Sequence, residues 1–80
     1  MKTIERVARA IHQSSAGGTP KDYDGLREEI RRAYEIAARM AIAAMRHPSA
    51  AMVEEGNRRD MGGDAANVWE RMLFRALNED

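Results

Sequence analysis

No cysteine occurs among the 80 residues, which excludes a disulfide frame and a thiolate metal site. Small secreted domains depend on such staples, so their absence fits a reducing cytoplasm. Only two prolines interrupt the chain, and long helices are therefore permitted. Aromatic residues make up 5% of the sequence and are Tyr23, Tyr34, Trp69 and Phe74. A core with so few rings has to close through small residues, with Leu, Ile and six Met as fillers. No apolar run approaches the roughly 20 residues of a membrane span. The opening MKTIERVARA is charged in every turn and does not read as a signal peptide. Net charge is lacking too, because 13 Lys and Arg balance 13 Asp and Glu. A non-specific nucleic-acid binder normally carries a basic excess.

What is present is helical periodicity. The chain is short enough for one domain, residues 1–80, and marginal in size. Its longest regular stretch is Asp24–Arg46, in which Tyr23, Leu26, Ile30, Ala33, Ala37, Met40 and Ala44 follow at steps of three and four. That spacing predicts an apolar core stripe along a rod of about 34 Å at roughly 1.5 Å per residue. In its first half Glu28 and Glu35 stand four residues before Arg32 and Arg39, the favourable order for an ion pair. From Ile36 to Met45 only Arg39 is polar. A helix apolar nearly all round is covered on several sides, either by the domain's own core or by another subunit.

The remaining elements surround that rod. Residues 3–14 predict a first helix with Thr3 as cap and Ile4, Val7, Ala8 and Ile11 on one face. Residues 14–19 read as a flexible joint, and Thr19-Pro20 as a helix start, with one turn near Pro20–Tyr23 and then either a slight break, Asp24 offering a second cap, or direct continuation into the long helix. His47-Pro48 ends the long helix. Ser49 caps a short one over Ala50–Glu55, with Met52 and Val53 inward and Gly56 as its end. Asn57–Gly63 is a polar loop. Asp64 caps a last helix with its stripe at Ala65, Val68, Trp69, Met72, Leu73 and Ala76. Asn78–Asp80 is expected to fray. The fold class is all-α: a small bundle of three main helices plus one short helix, packed on a long central helix.

Candidate chemistry is sparse, and no catalytic, cofactor-binding or metal-binding residue is expected. His12 and His47 have no partner at metal spacing and read as cap or surface residues. Ser14, Ser15 and Ser49 sit in no strand-turn-helix elbow and read as linker and cap residues. Glu28-Glu29 and Glu54-Glu55 are adjacent, hence about 100° apart on a helix, and cannot face each other as an acid-base pair. Gly17-Gly18 and Gly62-Gly63 lack the rest of any phosphate-binding fingerprint. Trp69 falls inside an apolar stripe and reads as core. The turn between the last two helices is too long for a helix-turn-helix. What stands out is an arginine bias, 11 Arg to 2 Lys, since Arg presents a planar fork to carboxylate or phosphate. Arg32, Arg39 and Arg46 recur every seven residues, roughly opposite the predicted core stripe, with Ile42 close to the same side. An apolar anchor flanked by arginines is the composition of an interface hot spot. The alternative is a solvated edge paired with Glu28 and Glu35.

Three segments carry a resemblance: IERVARAI, ARMAIAAMRHPSAAMVEEG and NVWERMLFRAL. Together they resemble a recurrent pattern in small proteins of bacteriophages and prophages of α-proteobacteria, outside residues 14–25. His47 stands where that pattern has Glu. The family brings no activity with it. The resemblance implies a mobile-element accessory protein acting in the cytoplasm of a bacterial host cell, with no membrane role. Small phage proteins of this kind commonly bind a host protein or protein complex, and inhibitors of CRISPR–Cas immunity are one such group, an analogy of size and origin. The expected partner is thus a host protein, with a homodimer as a further state. A small dimeric nucleic-acid-binding regulator is the alternative.

Overall fold

The computed structural model describes residues 1–16, 20–59 and 63–79. These form α1 (Thr3–Ala16), α2 (Pro20–Asp24), α3 (Glu28–Ala44), α4 (Ala50–Arg58) and α5 (Ala65–Leu77). No strand occurs among the described residues, so the chain is all-α. Helix α1 packs against α2, α3 and α5, while α5 also meets α3 and α4.

Of the two arrangements expected after the turn at Pro20, the chain takes the break, and the long helix begins at Glu28 and ends at Ala44 rather than spanning Asp24–Arg46. Helix α2 closes at Asp24, where the Gly25 amide donates to the Asp22 carbonyl and the Leu26 amide to that of Tyr23. Arg27 is extended and precedes α3, which at 17 residues is about 25 Å long. Glu28 and Glu29 stand in its first turn, where carboxylates offset the positive end of the helix dipole. At the other end His47-Pro48 follows the last turn, as its sequence predicts.

Other boundaries also moved. Helix α1 runs through Ser14 and Ser15 into what reads as a joint, and the Ser15 hydroxyl donates to the Ile11 carbonyl at 2.9 Å. Residues 17–19 of that joint, with the Thr19 cap, lie outside the described residues. Thr3 is the first helical residue rather than a cap. Ser49 does cap α4, its hydroxyl accepting from the Met52 amide at 3.2 Å. Gly56 sits inside α4 rather than ending it. Asp64 makes no capping bond to the backbone of α5. Instead Asn57, in α4, accepts the Ala65 amide at 3.1 Å, so the start of α5 is satisfied from its neighbour.

The core gathers Ile4, Ala8, Tyr23, Ala38, Ile42 and Ala76, with Leu26, Tyr34, Leu73 and Leu77 packed around it. Ala8 and Ala38 are both 0% exposed. Small residues on α1 and α3 let the two helices approach closely, as the shortage of rings requires. This arrangement rotates α3 away from the expected stripe. Ile30, Ala33, Met40 and Ala44 are exposed, and of the seven expected residues only Tyr23, Leu26 and Ala37 turn inward. The buried line of α3 is instead Tyr34, Ala38 and Ile42, with Arg31 half-buried. Tyr23 lies on α2, and the break at Gly25–Arg27 frees the phase of α3 from it.

The two ends of the described chain are tied. The Thr3 amide donates to Glu79 Oε2 at 3.0 Å, and the Thr3 hydroxyl donates to Glu79 Oε1. Glu79 is thus anchored rather than frayed; Asp80 lies outside the described residues. These bonds, the hydroxyl first, hold the Glu79 carboxyl below the usual carboxylate range. The Arg9 guanidinium does the same to Asp24 by hydrogen bonding. A carboxyl depressed in the folded state stabilises it above the unfolded value, about pH 4, and that contribution is lost as pH falls through the folded value. The urea midpoint should therefore drop on acidification below about pH 4, and Glu79→Gln should flatten part of that drop. A variant profile parallel to the wild type would contradict the tie.

Candidate functional site

One polar cluster joins α1 to α2. Arg9 places one nitrogen 2.5 Å from Asp24 Oδ1 and 3.2 Å from Glu5 Oε1. Its guanidinium carbon lies 4.8 Å from the Tyr23 ring centroid, a cation–π distance. Beneath it His12, 4% exposed, meets Tyr23 and Tyr34 edge-on, with centroids 5.9 and 5.2 Å away. His12 is therefore a core residue and not the surface or cap residue its isolation predicts. Burial, as the leading cause, pushes the Tyr23 phenol up, which keeps it neutral at physiological pH. The carboxylates here are bound to Arg9, and the Ser15 hydroxyl is spent on a backbone carbonyl. Nothing in this cluster arranges a nucleophile beside a base, and its geometry is that of a clamp between two helices.

The residues singled out from sequence do not all stay together. Ile42 is 1% exposed, the largest fully buried side chain among the described residues. It cannot be the surface anchor of an arginine ridge, because α3 turns it into the contact with α1 and α5. Arg32, Arg39 and Arg46 are all exposed. Arg32 pairs with Glu28 at 3.5 Å, between two solvated side chains, which contributes little. Arg39 does not pair with Glu35; it donates to the Leu77 carbonyl oxygen at 3.2 Å, helping to cap the end of α5. His47 Nδ1 lies 3.6 Å from Glu70 Oε1, on an exposed surface.

The rotation that buries Ile42 brings other apolar residues to the surface. Ile36 is 53% and Met40 68% exposed, and Ala33, Ala43 and Ala44 are exposed with them. Ala33, Ile36, Met40 and Ala43 are spaced by three, four and three, so they form one continuous line along the helix. Two of the arginines edge that line. Arg32 stands four before Ile36 and Arg39 three after it, neighbour positions on a helix surface, whereas Arg46 lies beyond the end of α3. An open recess of about 300 Å³ beside the line is walled by Glu28, Glu29, Arg32, Ala33 and Ile36. Of this line the sequence predicts Ala33 and Met40 in the core stripe, while Ile36 and Ala43 fall in the half of the helix expected to be covered by the core or by another subunit. The seven-residue spacing of Arg32 and Arg39, shared with the apolar line they edge, is the signal that marks it as a surface.

A second apolar surface lies between α4 and α5. It is an open groove of about 440 Å³ whose walls include Met52, Val53, Val68, Trp69 and Met72. Trp69 is half-buried and donates from its indole nitrogen to the Met45 carbonyl at 2.7 Å, which fixes α5 to the end of α3 and makes the ring structural. Met52 and Met72, expected inward, are exposed.

Among the described residues no group of three or more His, Asp or Glu is placed to hold a metal ion. No helix described is long and apolar enough to cross a membrane. No protein-family model, curated protein or solved structure matches this chain.

Proposed function

We propose that this chain is a bacteriophage or prophage accessory protein that acts by binding a host protein, blocking a surface of that target, with a defence system such as CRISPR–Cas as the target class. The observation that carries the binding reading is the outward face of α3. Two large apolar side chains, Ile36 and Met40, stand in water on a helix that is regular from end to end. Each has half or more of its surface still to bury, a gain of about 1–2 kcal/mol, and Arg32 and Arg39 beside them supply charged contacts at the rim. A phosphate backbone would leave Ile36 and Met40 wet, so the surface favours a protein over a nucleic acid. The phage setting comes from the resemblance of three sequence segments and from the chain's size.

The test is capture of a host protein by tagged chain, compared between wild type and the double variant Ile36→Asp, Met40→Asp. Both residues are exposed, so helicity and the thermal midpoint should hold while capture is lost. Equal capture by both proteins would remove α3 as the binding face. For the defence-inhibition reading, expression in an immune host should let a targeted phage form plaques; intact immunity across the host's systems would overturn it.

A further inference from the structure

The outward line of α3 has the same form in both directions. Ala33, Ile36, Met40 and Ala43 are spaced by three, four and three, with the two large side chains at the centre and an alanine at each end. All four are exposed. Such a line is complementary to itself when a second copy runs antiparallel. A two-fold axis midway between Ile36 and Met40 sets Ile36 against Met40 of the second copy, and Ala33 against its Ala43. An isologous contact needs one patch to serve on both sides, and this symmetry supplies it. The large side chains meet at the centre, where packed helices make their contact. A partner of different sequence places no such demand on the helix.

The ends of the line differ in charge, which fixes the direction. One turn before Ala33 the same face carries Glu29, whose contact with Arg27 is loose, 4.0 Å between two solvated side chains. At the other end the Arg46 amide donates to the Ala43 carbonyl at 3.1 Å in the turn that follows α3, and Arg46 is exposed. Antiparallel copies bring Glu29 of each to the end where Arg46 of the other stands, twice over by symmetry. They also set the positive start of each helix beside the negative end of its neighbour. Parallel copies would bring Glu29 to Glu29. Arg32 and Arg39 are already engaged within the chain, with Glu28 at 3.5 Å and with the Leu77 carbonyl at 3.2 Å. With 13 charges of each sign, no net repulsion keeps two copies apart.

We infer that, in the absence of a target, the outward face of α3 is covered by the same face of a second copy, antiparallel about an axis between Ile36 and Met40. The pairing stands on the symmetry of the line and the charges at its ends. Its consequence, that a target must displace the second copy, rests on the protein-binding reading above. A single helix face buries less than the roughly 800 Å² per partner of a standard interface. The pairing is therefore weak, with a Kd above about 1 µM, and measurements at lower concentration read the single chain. It withdraws Ile36 and Met40 from water and yields to a target that covers more surface.

The chain has no cysteine, so single introduced ones report the geometry. Ala33→Cys and Ala43→Cys are made as separate proteins and oxidised alone or mixed, at high concentration. The mixture should form its disulfide about tenfold or more faster than either protein alone, because like positions of the two copies lie about 15 Å apart along the axis. Adding Ile36→Asp to both should abolish that preference, with circular dichroism unchanged. In sedimentation equilibrium the wild-type mass should rise with concentration from 9.0 kDa towards twice that value, and the Ile36→Asp mass should not. At low salt Glu29→Arg should weaken the association about tenfold, and Arg46→Glu added to it should restore the wild-type level. A mass of one chain at every concentration, disulfides forming as fast within one protein as between the two, or a dimer that survives Ile36→Asp would each overturn the pairing. The two readings fail separately. A monomer throughout, with host-protein capture lost in the Ile36→Asp, Met40→Asp variant, removes the second copy and leaves protein binding standing. The paired disulfide, with capture unchanged in that variant, removes α3 as the target's face and leaves the pairing.

Discussion

Replacing Ile42 with alanine should destabilise the fold by about 2–5 kcal/mol, the range for truncating a fully buried aliphatic side chain. Among the described residues Ile42 is the largest side chain removed from solvent, and it belongs to a cluster that joins residues from α1, α2, α3 and α5. A domain of this size has only a few kcal/mol to lose, so Ile42→Asp, which strands a carboxylate among Ile4, Ala8 and Ala76, should not fold at all. Urea unfolding followed by circular dichroism measures the first, and the far-ultraviolet spectrum reads the second. The contrast within the same helix gives the experiment its force. Met40→Asp, two residues earlier and exposed, should shift stability by no more than about 0.5 kcal/mol. If Ile42→Ala behaves like Met40→Asp, α3 does not have the rotation described.

Tyr23 should rank with Ile42. Tyr23→Ala is expected to cost about 3–5 kcal/mol, as for other buried aromatic truncations. The ring is 3% exposed, lies under the Arg9 guanidinium, and meets both His12 and Tyr34 edge-on. Removing it takes away three ring interactions as well as its buried area, and unseats α2 from α1. Tyr23→Phe should be mild, about 1 kcal/mol or less, because the phenol's hydrogen bond to the Arg31 carbonyl is long at 3.4 Å. Equal losses in the two variants would mean that the hydroxyl, and not the ring, holds α2 in place.

Much of the helix pattern is legible from local rules. Ser49 predicts the start of α4 because a short hydroxyl can accept an orphan amide, and it does so. His47-Pro48 predicts the end of α3 for a steric reason that needs no tertiary contact. The boundaries that moved are those where a distant residue intervenes. Asp64 reads as the cap of α5, yet the Ala65 amide is taken by Asn57 from α4. Glu79 reads as a frayed end, yet it accepts from Thr3 at the opposite end of the chain. His12 reads as an isolated surface residue, since nothing in its own helix shows that two tyrosines from other helices enclose it.

The candidate surface shows the same division more sharply. The seven-residue row of Arg32, Arg39 and Arg46 is plain in the sequence, and all three are exposed. Which apolar line they accompany is not. Between Ile36 and Met45 the helix is apolar on nearly every side, so Tyr34–Ala38–Ile42 and Ala33–Ile36–Met40 fit the helical period equally well. Periodicity determines that α3 has an apolar face and cannot choose between two. The choice falls to packing: Ala38 lets α1 close on α3, and Ile42 fills the space left among Ile4, Ala8 and Ala76. By itself, the sequence determined that the chain is all-helical, cysteine-free and balanced in charge, with Arg32 and Arg39 a heptad apart on its longest helix. Only the tertiary structure decided which side of that helix is core and which is left in solvent, because burial depends on neighbours that no local pattern contains.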